Sequence, residues 1–162
     1  MPPTPDENTS RPDHTGAAGP AIEIHGRAVT AKRAAAARYR QAQQAADARL
    51  AATALSLAVQ ADPGFGLAVA DLDAITGTAS QGLSHHQMNW ERHHIEVVAA
   101  AVAGNARRAT DLLREHLASV GCDPLAFRIT VLLRQRAGRN DDADNLASQL
   151  PGCHATPWPC LP

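Results

Sequence analysis

The stretch "IEVVAAAVAGNARRATDL" (residues 95–112) decides the fold once it is laid over "ITVLLRQRAGRNDDADNL" (residues 129–146). The two lie 34 residues apart. Ile95 falls on Ile129, Val97 on Val131, Val98 on Leu132, Gly104 on Gly138, Ala109 on Ala143 and Leu112 on Leu146. Each stretch reads as two short helices with a glycine between them. The glycine permits the tight turn, and the alanine five residues later lets the second helix lie close against the first. In the first stretch Ile95, Val98, Ala99 and Val102 form one apolar stripe at helical spacing.

A period of 34 residues is that of the tetratricopeptide repeat. "ARLAATALSLAVQADP" (residues 48–63) fits the second half of an earlier unit, with Ala51, Leu55, Ala58 and Pro63 at the small, large, small and proline positions. The expected fold is therefore all-α: tetratricopeptide-like helix–turn–helix repeats stacked as a short right-handed α-solenoid. Composition agrees. Apolar residues make up 44% of the chain but aromatics only 3%, so alanine, the strongest helix former, supplies much of the core. Sustained period-2 alternation is missing, and no sheet is expected.

Outward from the repeat, residues 1–20 are rich in Pro, Thr, Ser, Asp and Gly and are expected to be a disordered tail. Residues 21–151 form the repeat domain. Residues 29–61 read as two helices with a turn near Gln44–Asp47. Asp62 and Pro63 are expected to start a helix that Gly77 ends, and Asp123 and Pro124 another that Gly138 ends. "TASQGLSHHQMN" (residues 78–89) reads as a loop. Asn140 or Asp141 caps a last short helix, which Pro151 ends. Residues 152–162 are an irregular, Pro-rich tail.

The chain resembles the tetratricopeptide repeat protein 38 family in its bacterial form. The resemblance rests on "DPGFGLAVADL" (residues 62–72), "ERHHIEVVAAAVAGNARRATDLLREHLASVGCDPLAFR" (residues 91–128) and "LPGCHATPWPCLP" (residues 150–162). Glu91, His94, Gly104–Asn105, Ala109, Leu113, Asp123 and Leu125–Ala126 fall on that family's pattern, over roughly residues 44–160. Members are usually longer, with further helical repeats beyond the point where this chain stops, and the second unit here looks shortened. The resemblance implies a helical-repeat scaffold and brings no catalytic residues.

The chemistry-bearing stretch is "SHHQMNWERHHIEV" (residues 84–97), with four of the eight histidines. His93 and His94 are adjacent, so on a helix they point roughly 100° apart. Glu91 and His94 form one E-x-x-H pair, but a di-iron bundle needs two such pairs and two further glutamates. An alternative reading is a metal-dependent enzyme using His85, His86, Glu91 and His94. The preferred expectation has no metal, cofactor or catalytic residue. In repeat register His94 and Arg128 are equivalent, which predicts a peptide-binding concave face of Glu91, His94, Arg128, Gln135 and Arg136. Its arginines would favour an acidic or extended peptide.

Arg27, Lys32, Arg33, Arg38, Arg40 and Arg49 form a basic run, but only Tyr39 is there to stack on bases, so nucleic acid is not the expected partner. With 15 basic and 16 acidic residues the net charge is -1, which draws neither nucleic acid nor an anionic membrane. The longest apolar run is too short to span a bilayer, and the N-terminus has no signal-peptide pattern. Cys122, Cys153 and Cys160 lack CxxC spacing and read as reduced thiols in a cytoplasmic protein. About two and a half units are marginal for a solenoid, so self-association or marginal stability is expected.

Overall fold

A computed structural model describes residues 22–78, 88–150 and 155–159. Among them are seven helices and one minimal hairpin. The helices are α1 (Arg33–Gln43), α2 (Ala48–Ala61), α3 (Gly66–Thr76), α4 (Asn89–Val102), α5 (Ala106–Val120), α6 (Pro124–Arg136) and α7 (Asn140–Gln149). The all-α expectation holds at this level. None of the described helices is long and apolar enough to cross a membrane.

The hairpin departs from the expectation of no sheet. Strands β1 (Glu23–Ile24) and β2 (Arg27–Ala28) pair antiparallel, Glu23 opposite Ala28 and Ile24 opposite Arg27. The two turn residues, His25 and Gly26, both have positive φ (55° and 69°), as a type I′ turn requires. Two-residue strands leave no periodicity in the sequence, so nothing announced them. The hairpin lies against the start of α4: the Trp90 indole donates to the Ala28 carbonyl at 2.8 Å, and Thr30 donates to the Glu91 carboxylate.

Side-chain caps fix three of the helix starts. Asp47, Asn105 and Asp123 each accept a backbone N–H from the residue three further on. The start expected at Asp62 is not there. Asp62 ends α2 instead, and its carboxylate accepts the backbone N–H groups of Lys32 and Gly64. Pro63 and Gly64 complete the turn, and α3 begins only at Gly66. Gly77 ends it as expected, with φ 77°. The last cap is one residue early: Arg139, not Asn140 or Asp141, precedes α7.

The turns α4–α5 and α6–α7 are the same object 34 residues apart. Gly104 and Gly138 both have φ 73°. Asn105 N–H bonds back to Ala100 and Arg139 N–H to Arg134, a six-residue closure in each. The register also sorts the core. Ile95, Ile129, Val98 and Leu132 lie in one apolar cluster, which reaches back over α1–α3. Val97, Val131, Leu112 and Leu146 lie in the other, between α4, α5, α6 and α7. Helices α4 and α6 are therefore buried on two sides. This explains a second departure: Ala99 and Val102, assigned to the apolar stripe of α4, are exposed, while Trp90, His94 and Val97 are buried.

In α1 and α2 the core is mostly alanine. Ala35, Ala36, Ala42, Ala51 and Ala58 are buried, with Tyr39 and Leu55 as the large members. Small side chains bring these backbones close together. A cleft of about 130 Å³ opens between the two glycine turns, lined by Val102, Ala109, Thr130 and Arg134. Arg134 bridges them, donating to the Ala106 carbonyl and the Thr110 hydroxyl of α5 and to the Asp142 carbonyl of α7.

Candidate functional site

Five helices converge on a fully buried polar network. His94 of α4 is its centre. Its Nε2 lies 2.7 Å from Asp71 Oδ1 of α3, and its Nδ1 lies 2.7 Å from Asp123 Oδ2 at the start of α6. His116 Nε2 of α5 reaches the same Asp123 oxygen at 2.8 Å. The Tyr39 hydroxyl of α1 donates to Asp71 Oδ2 at 2.7 Å. Asp71, His94, His116, Asp123 and Tyr39 are each 0% exposed. His25, at the tip of the hairpin, brings its Nε2 to 3.6 Å from Asp123 Oδ1 and within 2.8 Å of the Gln43 amide.

The electrostatics follow from this wiring. Burial pulls the His94 pKa down, but Asp71 and Asp123 outweigh it and carry the imidazole well above its ordinary value of 6.5. Burial pushes the Asp123 carboxyl up, and His94, His116 and His25 together hold it well below the usual carboxylate range. For His116 burial wins and its pKa falls. Burial and Asp71 raise the Tyr39 phenol. His94 thus lies between two carboxylates that both favour its charged form.

Of the residues expected to line a peptide groove, Glu91 and His94 are interior. Glu91 is 1% exposed and accepts from Thr30 and from the Met88 backbone N–H. A group buried in this way does not meet a peptide on the surface. The register equates the backbones of His94 and Arg128 but not their surroundings, because α4 has acidic neighbours on two sides. Gln135 is half-buried, and its side-chain oxygen has no hydrogen-bond partner among the described residues. Arg136 is exposed and donates to the Ile75 carbonyl at the end of α3. His85 and His86 lie outside the described residues. Asp71, His116 and Asp123 were missed as site residues.

Arg128 contacts an irregular segment of its own chain, residues 155–159. Its Nε donates to the Thr156 carbonyl at 2.9 Å, and another guanidinium nitrogen donates to the Gln43 carbonyl at 2.8 Å. The guanidinium lies 5.8 Å from the centre of the Trp158 ring. Trp158 is 3% exposed, and its indole N–H donates to the Ala45 carbonyl at 3.0 Å. Residues 155–159 have neither helix nor strand, and Pro157 and Pro159 flank the tryptophan.

Two other expectations meet the structure here. Tyr39 is buried, so the basic run, although exposed, has no aromatic to stack on a base. Cys122 is disulfide-bonded rather than a free thiol, and Cys153 and Cys160 lie outside the described residues. Disulfides belong to oxidising compartments more than to the cytoplasm. Comparison of the chain with models of protein families, with curated proteins and with solved structures finds no match.

Proposed function

We propose that the protein is a non-enzymatic helical-repeat interaction module, of the tetratricopeptide-like kind that the resemblance implies, binding extended, proline-flanked aromatic peptides. The observation that carries the reading is the seating of residues 155–159 on α6 and the α1–α2 turn. Arg128 takes a peptide carbonyl, its guanidinium faces the aromatic ring, and the Ala45 carbonyl takes the indole N–H. These contacts depend on backbone groups and one aromatic ring, so a segment of similar chemistry from another chain fits the same surface. Proline on either side favours the extended form before binding and lowers the ordering cost. The 34-residue register and the matched turns support the solenoid part of the reading.

Self-association belongs to the same reading, since the segment of a second copy carries the same residues. The binding test uses the full chain bearing Trp158→Ala, which weakens the intramolecular contact. A labelled peptide of residues 154–159, which contains no cysteine, is titrated into it. Saturable binding that disappears when Arg128→Ala is added supports the reading. No binding, or binding indifferent to Arg128, would reduce the contact to a chain end packed on its own domain.

A further inference from the structure

Away from the Arg128 surface, three ligand atoms of His94, His116 and Asp123 all lie within 4.8 Å of one another. They come from α4, α5 and the first residue before α6, and every one of these side chains is fully buried. We propose that His94 Nδ1, His116 Nε2 and Asp123 Oδ2 bind a single divalent transition-metal ion, zinc by preference, as a structural site.

Charge balance argues for it. Both nitrogens of His94 face carboxylate oxygens at 2.7 Å, so without an ion both must carry protons and the ring is positive. His116 also faces a carboxylate and donates from Nε2. One positive ring between two carboxylates leaves a net negative charge in this buried group, which is costly away from water. A divalent ion in the place of the His94 Nδ1 and His116 Nε2 protons changes the sum. Both rings become neutral, and the ion balances Asp71 and Asp123. The His116 proton moves to Nδ1, and the His94 proton leaves, so one proton is released per ion bound.

The surroundings of His94 are those of a metal-ligating histidine, whereas the far nitrogen of His116, Nδ1, is buried with no hydrogen-bond partner among the described residues. A metal-ligating ring normally donates its far N–H to a carboxylate, which fixes its tautomer and orientation. Asp71 Oδ1 stands at 2.7 Å from His94 Nε2, and the Tyr39 hydroxyl holds the other Asp71 oxygen. Two imidazoles and one carboxylate suit zinc and its neighbours rather than the oxygen-seeking calcium or magnesium. Tetrahedral bonds of about 2.0–2.1 Å set ligand atoms roughly 3.3 Å apart. The present separations of 2.7 and 2.8 Å must therefore open by roughly 0.6 Å, within reach of small rotamer shifts. His25 Nε2, 3.6 Å from Asp123 Oδ1 and 2.8 Å from the Gln43 amide, stands outside this group of three and would have to leave Gln43 and move closer to join it as a fourth ligand.

The test uses the full chain stripped with chelator and titrated with Zn²⁺ and Co²⁺. One ion per chain is expected, with the strong visible absorption of tetrahedral, histidine-bound cobalt. Asp71→Asn keeps every ligand and should weaken binding roughly 10–100-fold. His116→Ala should weaken it more. Weak octahedral cobalt absorption, no saturable binding, or binding unchanged by both substitutions would overturn the proposal and leave the cluster as a proton-bridged network. If a variant fails to fold, the cobalt spectrum of the unaltered chain decides.

Discussion

Asp71 and Asp123 hold one imidazole between them: each places a carboxylate oxygen 2.7 Å from a nitrogen of His94, and all three side chains are fully buried. Removing the ring strands two carboxylates away from water. His94→Leu is therefore expected to destabilise the chain by roughly 3–5 kcal/mol, the cost of breaking a buried charge pair by deleting one partner. A denaturant titration measures it. A loss below about 1 kcal/mol would mean that the network relaxes or takes in water.

The same wiring sets a pH profile for chelator-treated protein. The folded pKa of His94 is raised, so its stabilisation is complete below the ordinary 6.5 and is lost as pH rises through the folded value. The His116 pKa is lowered, so its contribution is lost as pH falls below 6.5. Asp123, held low, adds a further loss when pH falls through its folded value, below 3.8. Thermal midpoints should therefore peak near neutrality and fall on both sides. In His94→Gln the alkaline fall from 6.5 upward should flatten; an unchanged alkaline limb would refute the assignment.

The two glycine turns offer a matched pair. A Cβ at Gly104 or Gly138 meets nothing within 4 Å, so only backbone strain opposes a side chain there. Gly104→Ala and Gly138→Ala should each cost about 1–2 kcal/mol, the ordinary left-handed penalty. Chemical denaturation of both variants checks this, and costs differing several-fold would show that the turns are not energetically equivalent.

Arg128→Ala removes a charged donor from the Thr156 and Gln43 carbonyls and a cation from the Trp158 ring. Losing the hydrogen bonds is expected to weaken docking of residues 155–159 by roughly 1.5–3 kcal/mol. Amide exchange is the readout: Trp158 should exchange faster while α4 and α5 keep their protection. Equal acceleration throughout would make Arg128 a residue of the global core.

The sequence carried the local half of this structure well. Asp123 stands before a helix whose first turn needs an acceptor, and Gly77, Gly104 and Gly138 stand where the backbone turns left-handed; the caps at Asp47 and Asn105 went unread. Such signals lie within a few residues of their effect. Asp62–Pro63 misled because the same carboxylate that can start a helix here closes a turn and accepts Lys32 from 30 residues away. The polar network was hidden for a similar reason. His94 meets its carboxylates across 23 and 29 residues, and neither spacing marks Asp71 or Asp123 as its partner. The register itself suggested a surface histidine, because it matched His94 to Arg128 by backbone position alone.

One carboxylate ties together helices that lie far apart in this chain. Ordinary solenoids hold each unit only to its neighbours, so they can fray from an end, unit by unit. Here Asp123 caps α6 while accepting from rings on α4 and α5, and His94 passes the tie on to Asp71 of α3 and thence to Tyr39 of α1. The last hairpin cannot peel away without exposing a charge that the first helices also share. The chain is therefore expected to unfold in a single concerted transition rather than from its C-terminal end.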